Sequence, residues 1–412
     1  MGASQAKRFV GWGGVASSKP QNPRDPADPA YEFTELDRFV RAASGRGLQI
    51  LLGVQGAPAW AVGDGAPSSA PPGTWKPDPG ALGAFMAALA RRYSGSFPDP
   101  EGGSLPKVRD FQIWNEPNLS TYLTPQWNGN RPVGARHYKK MLNASSRAIK
   151  SVDRRARVVT GGLAPYGEPP GGSRTRPLRF WREVFCLKTP KLKRKKRCGD
   201  KARFDVFAHH PINTSGPPKQ GAVHPDDASS GDLPSVRRVL RAAERQRTVQ
   251  GKGKHPLWAT EMWWESDPPS DRGYPLRKQA RFIQETMYLA WRAGFSTVIQ
   301  LRIRDSPPSP SIGGRTADGL YFINGDPKPS AKAFRFPFVA DRKNKRRVKL
   351  WGKAPAKGAV KIERKNGKRW KRLVTLRAGG NRVFKGKLGL RGRKKLRARF
   401  GGETSMTWRV TR

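Results

Sequence analysis

Seven short apolar runs recur within the first 340 residues, and apolar residues at helical spacing lie between them. The runs cover residues 9–15, 48–54, 108–114, 157–163, 204–208, 257–260 and 297–303. Leu36, Phe39, Val40 and Ala43 form one helical stripe, and Leu82, Phe85, Met86, Leu89 and Tyr93 a second. Val236, Val239, Leu240 and Ala243 form a third; Phe282, Met287, Leu289 and Trp291 form a fourth, less regular one. Strand followed by helix, repeated, predicts a parallel sheet with helices outside it. The runs are continuous rather than alternating, which suits strands buried on both faces. The fold class is therefore α/β. A closed (β/α)8 barrel, typically ~250 residues, is the first choice and an open doubly wound sheet the second. Gly11-Trp12-Gly13-Gly14 lacks the spacing of a dinucleotide-binding turn.

After Pro337 the texture changes. Residues 341–412 carry 27 Lys and Arg against Asp341, Glu363 and Glu403, a net +24 of the chain's +49. Short alternating runs separated by Gly-rich turns predict a small antiparallel β-sandwich there, solvated on one face. The expected division is a barrel over 1–338 and a strongly basic sandwich over 341–412. With 36% hydrophobic residues and 13 Trp, the chain can form a core without metal or crosslinks. Its 45 Gly and 37 Pro fall between apolar runs, as in a loop-rich globular protein. No run reaches the ~18 to 20 apolar residues that span a bilayer. The two cysteines, Cys186 and Cys198, flank the basic run LKRKKR. Two free thiols or one local disulfide fit; the disulfide is preferred and implies an oxidising compartment. No metal site is expected, because His209 and His210 are adjacent, a poor geometry for chelating one ion.

The chemistry lies in two places. In FQIWNEPNLS, residues 111–120, Pro117 stops a buried strand, so Glu116 sits at the strand's end. In WATEMWWE, residues 258–265, Glu261 does the same, 145 residues on (261 − 116). Tryptophans bracket both. Strand ends of a parallel barrel converge on one face. Two carboxylates there, ~5 to 5.5 Å apart, are the apparatus of a retaining glycosidase: one protonated, one ionised. Glu265 falls further past its strand and is the weaker candidate. His209 reads as a structural histidine, and Trp12 and Trp60 as either core or sugar platform.

With these residues the sequence resembles clan-A glycoside hydrolases, retaining (β/α)8 enzymes that include cellulases, β-xylosidases and α-L-iduronidases. The resemblance spans about residues 8–338. IWNEPN resembles the acid/base signature of the fourth strand, LWATEMWW the nucleophile signature of the seventh, LLGVQGAPAWA the third strand and FAHHP the sixth. It implies Glu116 as acid/base and Glu261 as nucleophile. It implies that Asn115 binds the sugar 2-hydroxyl, that His210 lines the site, and that Arg8 in RFVGW steadies the nucleophile. Trp60 and Trp263 are the expected sugar-contacting aromatics. Ile212 stands where such enzymes often offer tyrosine, and Gln300, Arg302 and Arg304 where they often offer a tryptophan platform.

The resemblance also implies a missing part. Residues 8–15 resemble the second strand of the barrel, so seven strands are counted where eight close it. The expectation is a barrel lacking its first strand, a start inside a longer reading frame, and a chain poorly soluble or inactive as written. The expected function is O-glycosyl hydrolysis of β-linked glycosides or polysaccharide, with no cofactor, in the extracellular space or cell envelope. The competing class is a non-catalytic polyanion-binding protein, since so large a positive charge makes counterion release available. The basic tail has no nucleic-acid reader motif, which favours an anionic cell-envelope polymer as its partner over nucleic acid.

Overall fold

The computed structural model describes residues 2–213, 216–251, 253–307 and 316–411. Strands β1 (Gln5–Gly11), β2 (Gln49–Gln55), β3 (Asp110–Ile113) and β4 (Arg157–Thr160) form a parallel sheet in chain order. Strands β5 (Phe207–His209), β6 (Leu257–Met262) and β7 (Phe295–Gln300) form a second parallel sheet in chain order. Parallel bridges from Val159 to Val206 and from Leu163 to His209 connect β4 to β5. The principal helices alternate with the strands: α1 (Thr34–Ser44), α2 (Pro79–Arg92), α3 (Val133–Val152), α4 (Pro177–Val184), α5 (Leu233–Arg245) and α6 (Leu276–Ala293).

The seven parallel strands do not close into a barrel. Among the described residues no ladder joins β1 to β7. The consequence is visible in burial: the inner strands β3 and β6 are buried throughout, whereas β1 and β7 are mostly half-exposed. The space between the strands is filled by a small apolar cluster of Leu51, Val159, Val206, Ala208 and Trp258. Below it, Gln5 donates to Asp110 at 3.0 Å, and Arg157 grips the same carboxylate through Nε and Nη2 at 2.6 and 2.8 Å.

The first strand begins earlier than the apolar run indicates. Trp12–Val15 is one helical turn, not strand, because Trp12 turns into the core to stack on Phe85 with ring centroids 5.7 Å apart.

Beyond α7 (Pro329–Arg335) come two antiparallel sheets. Strands β8 (Phe338–Asn344), β9 (Arg347–Lys353) and β12 (Val383–Gly389) form one. Strands β10 (Gly358–Asn366), β11 (Arg369–Ala378), β13 (Lys394–Phe400) and β14 (Trp408–Val410) belong to the other, which also takes in the two-residue strand Glu403–Thr404. Trp351 of β9 packs on Tyr288 and Trp291 of α6, with centroids 5.6 and 5.9 Å away. Gly386 of β12 lies under Leu376 of β11, so a Cβ there would sit 2.9 Å from the leucine. The first sheet is thereby held between α6 and the second sheet.

Candidate active site

Glu116 and Glu261 come together at the C-terminal strand ends. Their carboxylates and the His210 ring each offer an atom within 4.8 Å of the others. The local chain is bent to achieve this. Trp114 has φ 69° and Glu116 φ 37°, both in the left-handed region that non-glycine residues rarely adopt. Such a conformation costs of order 1–3 kcal/mol per residue and persists only where the surroundings impose it. Here the fully buried Trp114 indole donates to Tyr122 O at 2.8 Å, and the Glu116 N–H donates to Gly162 O at 3.0 Å. Asn118, the last residue of IWNEPN, clamps the adjoining loop. Its amide donates to Ala164 O and Thr175 O at 3.1 Å each and accepts from the Ala164 N–H at 3.0 Å.

His210 is fully buried between the two acids. Nδ1 is 2.8 Å from Glu116 Oε1, Nε2 is 3.1 Å from Thr260 Oγ1, and Nε2 is 3.5 Å from Glu261 Oε1. The ring fits because residue 162 is glycine: a Cβ there would lie 2.1 Å from Nε2. His209 points elsewhere. Its Nε2–H donates to Ala228 O at 2.8 Å, and complete burial pushes its pKa down to about 3.

The cation beside Glu261 is Lys7, not Arg8. Lys7 Nζ donates to Glu261 Oε1 at 2.8 Å, and both side chains are more than nine-tenths buried. The reason is strand alternation: neighbouring residues of β1 face opposite sides. Lys7 and Phe9 share the inner face, where Nζ stands 4.2 Å from the Phe9 ring centroid. Arg8 is exposed on the other side, over Phe39 of α1 at 5.8 Å, and also lines the cavity that opens onto the two glutamates. Room for Lys7 comes from Gly53, where a Cβ would meet Lys7 Cε at 3.2 Å.

A cavity of about 1790 Å³ opens onto the two glutamates and continues into the seam between β1 and β7. Asn115, Trp263, Ile212, Gln300 and Arg302 line it, as do Tyr122 and Tyr166, which supply aromatic surface from other loops. Three amide oxygens, of Asn115, Gln55 and Gln300, are buried there without a hydrogen-bond partner. Buried amides in that condition suit ligand hydroxyls. Trp60 is not in this wall; it packs edge-on against Trp12 at 5.6 Å and donates to Ala16 O. Glu265 is also absent from the wall. Sequence reasoning missed Lys7, Thr260, Gln55, Tyr166 and Gly162. Only Gly162, in the Gly-Gly that follows β4, left a sequence signal.

The Glu116, His210 and Glu261 cluster has the reach to hold a cation. Lys7 already places a positive charge 2.8 Å from Glu261, and a metal ion beside it would be repelled. Elsewhere, Cys186 and Cys198 form a disulfide with Cα atoms 5.5 Å apart, closing the basic loop.

No protein-family model matches this chain, and no curated protein matches it. Solved structures do. A family 39 glycoside hydrolase from Bacteroides cellulosilyticus WH2 superposes with a TM-score of 0.55 at 15% identity, over 94% of this chain and 74% of that one. A glucosidase from Croceicoccus marinus superposes with a TM-score of 0.52 at 12% identity, over 95% of this chain and 88% of that one. The chain shares its α/β fold with these two glycoside hydrolases.

Proposed function

We propose that the protein is a retaining glycoside hydrolase acting on β-linked glycosides or polysaccharide, with Glu261 as nucleophile and Glu116 as acid/base. The observation that carries this is the approach of the two carboxylates to within 4.8 Å, oxygen to oxygen, at two strand ends. Inverting enzymes need ~6.5 to 9.5 Å to admit water between the groups, whereas retaining ones bring them to ~5 to 5.5 Å. The fold shared with glycoside hydrolases supports the same reading.

In the first step Glu261 attacks the anomeric carbon while Glu116 gives its proton to the leaving oxygen. In the second, Glu116 takes a proton from the water that releases the sugar, and Glu261 leaves as carboxylate. Lys7 stabilises the negative charge Glu261 carries at the start and end of this cycle. While Glu116 holds its proton, it donates to His210 Nδ1; the ring's Nε2–H then donates to Thr260 Oγ1. Asn115, Gln55 and Gln300 offer their unpartnered oxygens to sugar hydroxyls, and Trp263 and Tyr166 offer ring faces. We take residues 1–338 as the catalytic unit and 341–412 as an accessory one. The disulfide favours an oxidising compartment, outside the cytoplasm or in the cell envelope.

The test is a pair of variants assayed on aryl glycosides. Glu261→Ala abolishes turnover, and azide restores a glycosyl product of inverted configuration. Glu116→Ala spares substrates whose leaving groups need no proton. Parent rates in both variants would refute the assignment.

A further inference from the structure

The second C-terminal sheet turns one face to the first sheet and the other to solvent. Its buried side carries Val360, Ile362, Leu396, Ala398, Trp408 and Val410. The register identifies what stands on the other side. Lys361 of β10 pairs with Thr375 of β11 and Arg399 of β13; Glu363 pairs with Arg372 and Arg397; Ala359 pairs with Arg377; Lys365 pairs with Trp370. Directly paired residues of antiparallel strands share a face. Lys361, Lys365, Arg372, Arg377 and Arg399 are all exposed there. The single acid, Glu363, is 6% exposed, and both its oxygens are engaged: Arg397 Nε donates to Oε2 at 2.7 Å, and Arg399 stands 3.9 Å from Oε1. Glu363 therefore holds the Arg397 guanidinium in place, with Arg399 close by, rather than offering negative charge to a ligand. Beside it the half-buried Trp370 ring carries the Arg397 guanidinium over its face, 4.2 Å from the centroid.

We propose that this face is a binding site for a linear anionic polysaccharide, whose carboxylate or sulfate groups pair with the cations while a sugar ring packs at Trp370. Strands stand ~4.8 Å apart and same-face residues repeat every ~6.8 Å along each strand, so the backbone sets the cation-bearing positions in a regular two-dimensional array. Arginines suit oxyanions, which they grip through two parallel N–H donors. With one aromatic, the face offers no stacking series for a single nucleic-acid strand. The choice of a glycan over another polyanion also rests on the glycosidase reading above; the location of the polyanion site does not.

The experiment uses the full chain. Binding to polygalacturonate, a sulfated dextran, neutral xylan and duplex DNA is measured against salt concentration, with melting curves as a check on folding. The face variant is Lys361→Gln/Arg372→Gln/Arg377→Gln/Arg399→Gln. The control variant removes four cations from the disulfide-closed loop, Lys191→Gln/Lys193→Gln/Lys196→Gln/Arg197→Gln. The face variant is expected to lose at least tenfold in affinity for the anionic glycans and to show a shallower salt dependence; the control loses no more than about twofold. Trp370→Ala alone lowers glycan affinity about threefold and leaves the salt slope unchanged. Should the fourfold face variant fail to fold, Arg372→Gln and Arg377→Gln are measured singly, each expected to cost two- to threefold. The polygalacturonate and dextran arms separate carboxylate from sulfate. Equal losses in face and control variants would reduce the binding to diffuse net charge and overturn the site. Tighter binding of duplex DNA than of either glycan, lost in the face variant, would keep the site but overturn the polysaccharide. Failure of the glutamate variants to affect hydrolysis would leave these binding results unaltered, so the two readings fail separately.

Discussion

Replacing Lys7 by Met tests the architecture of the candidate site without presuming the reaction. Lys7 and Glu261 form a buried pair at 2.8 Å with side-chain exposures of 4% and 7%. Methionine keeps much of the length of the side chain but removes the charge. Removing one partner of a buried pair strands the other in a poorly solvated site, at about 3–5 kcal/mol. Glu261 keeps His210 Nε2 at 3.5 Å, so the expected loss lies at the lower end, ~3 kcal/mol, read from urea denaturation at pH 7. Arg8→Met is the internal control: Arg8 is exposed on the opposite face of the same strand, and its loss should stay within about 0.5 kcal/mol. Lys7→Met/Glu261→Gln removes both charges and should recover most of the lost stability, because an isosteric neutral pair has no stranded ion. Turnover should fall with Lys7→Met and hold with Arg8→Met. If the two single variants are equally mild, or if the double variant loses the sum of its parts, the inward placement of Lys7 is wrong.

Gly162→Ala should cost ~1–3 kcal/mol by overpacking and cut activity further than its stability loss explains, since its Cβ would collide with the His210 ring at 2.1 Å; unchanged melting and kcat would contradict this. His209 is held neutral, with its pKa at about 3 against 6.5 unfolded. The unfolded state binds more protons between those values, so this stabilisation is complete above pH ~6.5 and lost as pH falls toward ~3, on the order of 5 kcal/mol in all. His209→Gln should flatten the slope of stability against pH in that window; an identical slope in both proteins would count against it. Reduction of the Cys186–Cys198 disulfide, whose partners are 12 residues apart, should lower stability by at most ~3 kcal/mol. Mass spectrometry of protein made under oxidising conditions should find no alkylatable thiol before reduction.

The sequence alone determined the order of parallel strands and helices, because continuous apolar runs and helical stripes are local patterns set by backbone periodicity. It also determined the two glutamates, each placed where a buried strand stops. Parity was decided only in three dimensions. Lys7 and Arg8 are adjacent cations, and which of them faces Glu261 depends on where β1 begins and how it registers against β2, Lys7 opposite Leu51 and Arg8 opposite Leu52. A shift of one residue would exchange them. Trp60 and Trp263 are likewise similar in sequence, yet one packs on Trp12 and the other lines the cavity. The basic surplus of the last 72 residues was plain from composition. That several of those cations share a solvent-facing sheet around a buried Glu363 follows from strand pairing, a relation between residues up to 38 positions apart (Lys361 and Arg399). Composition counts charges; only the register of the strands puts them side by side.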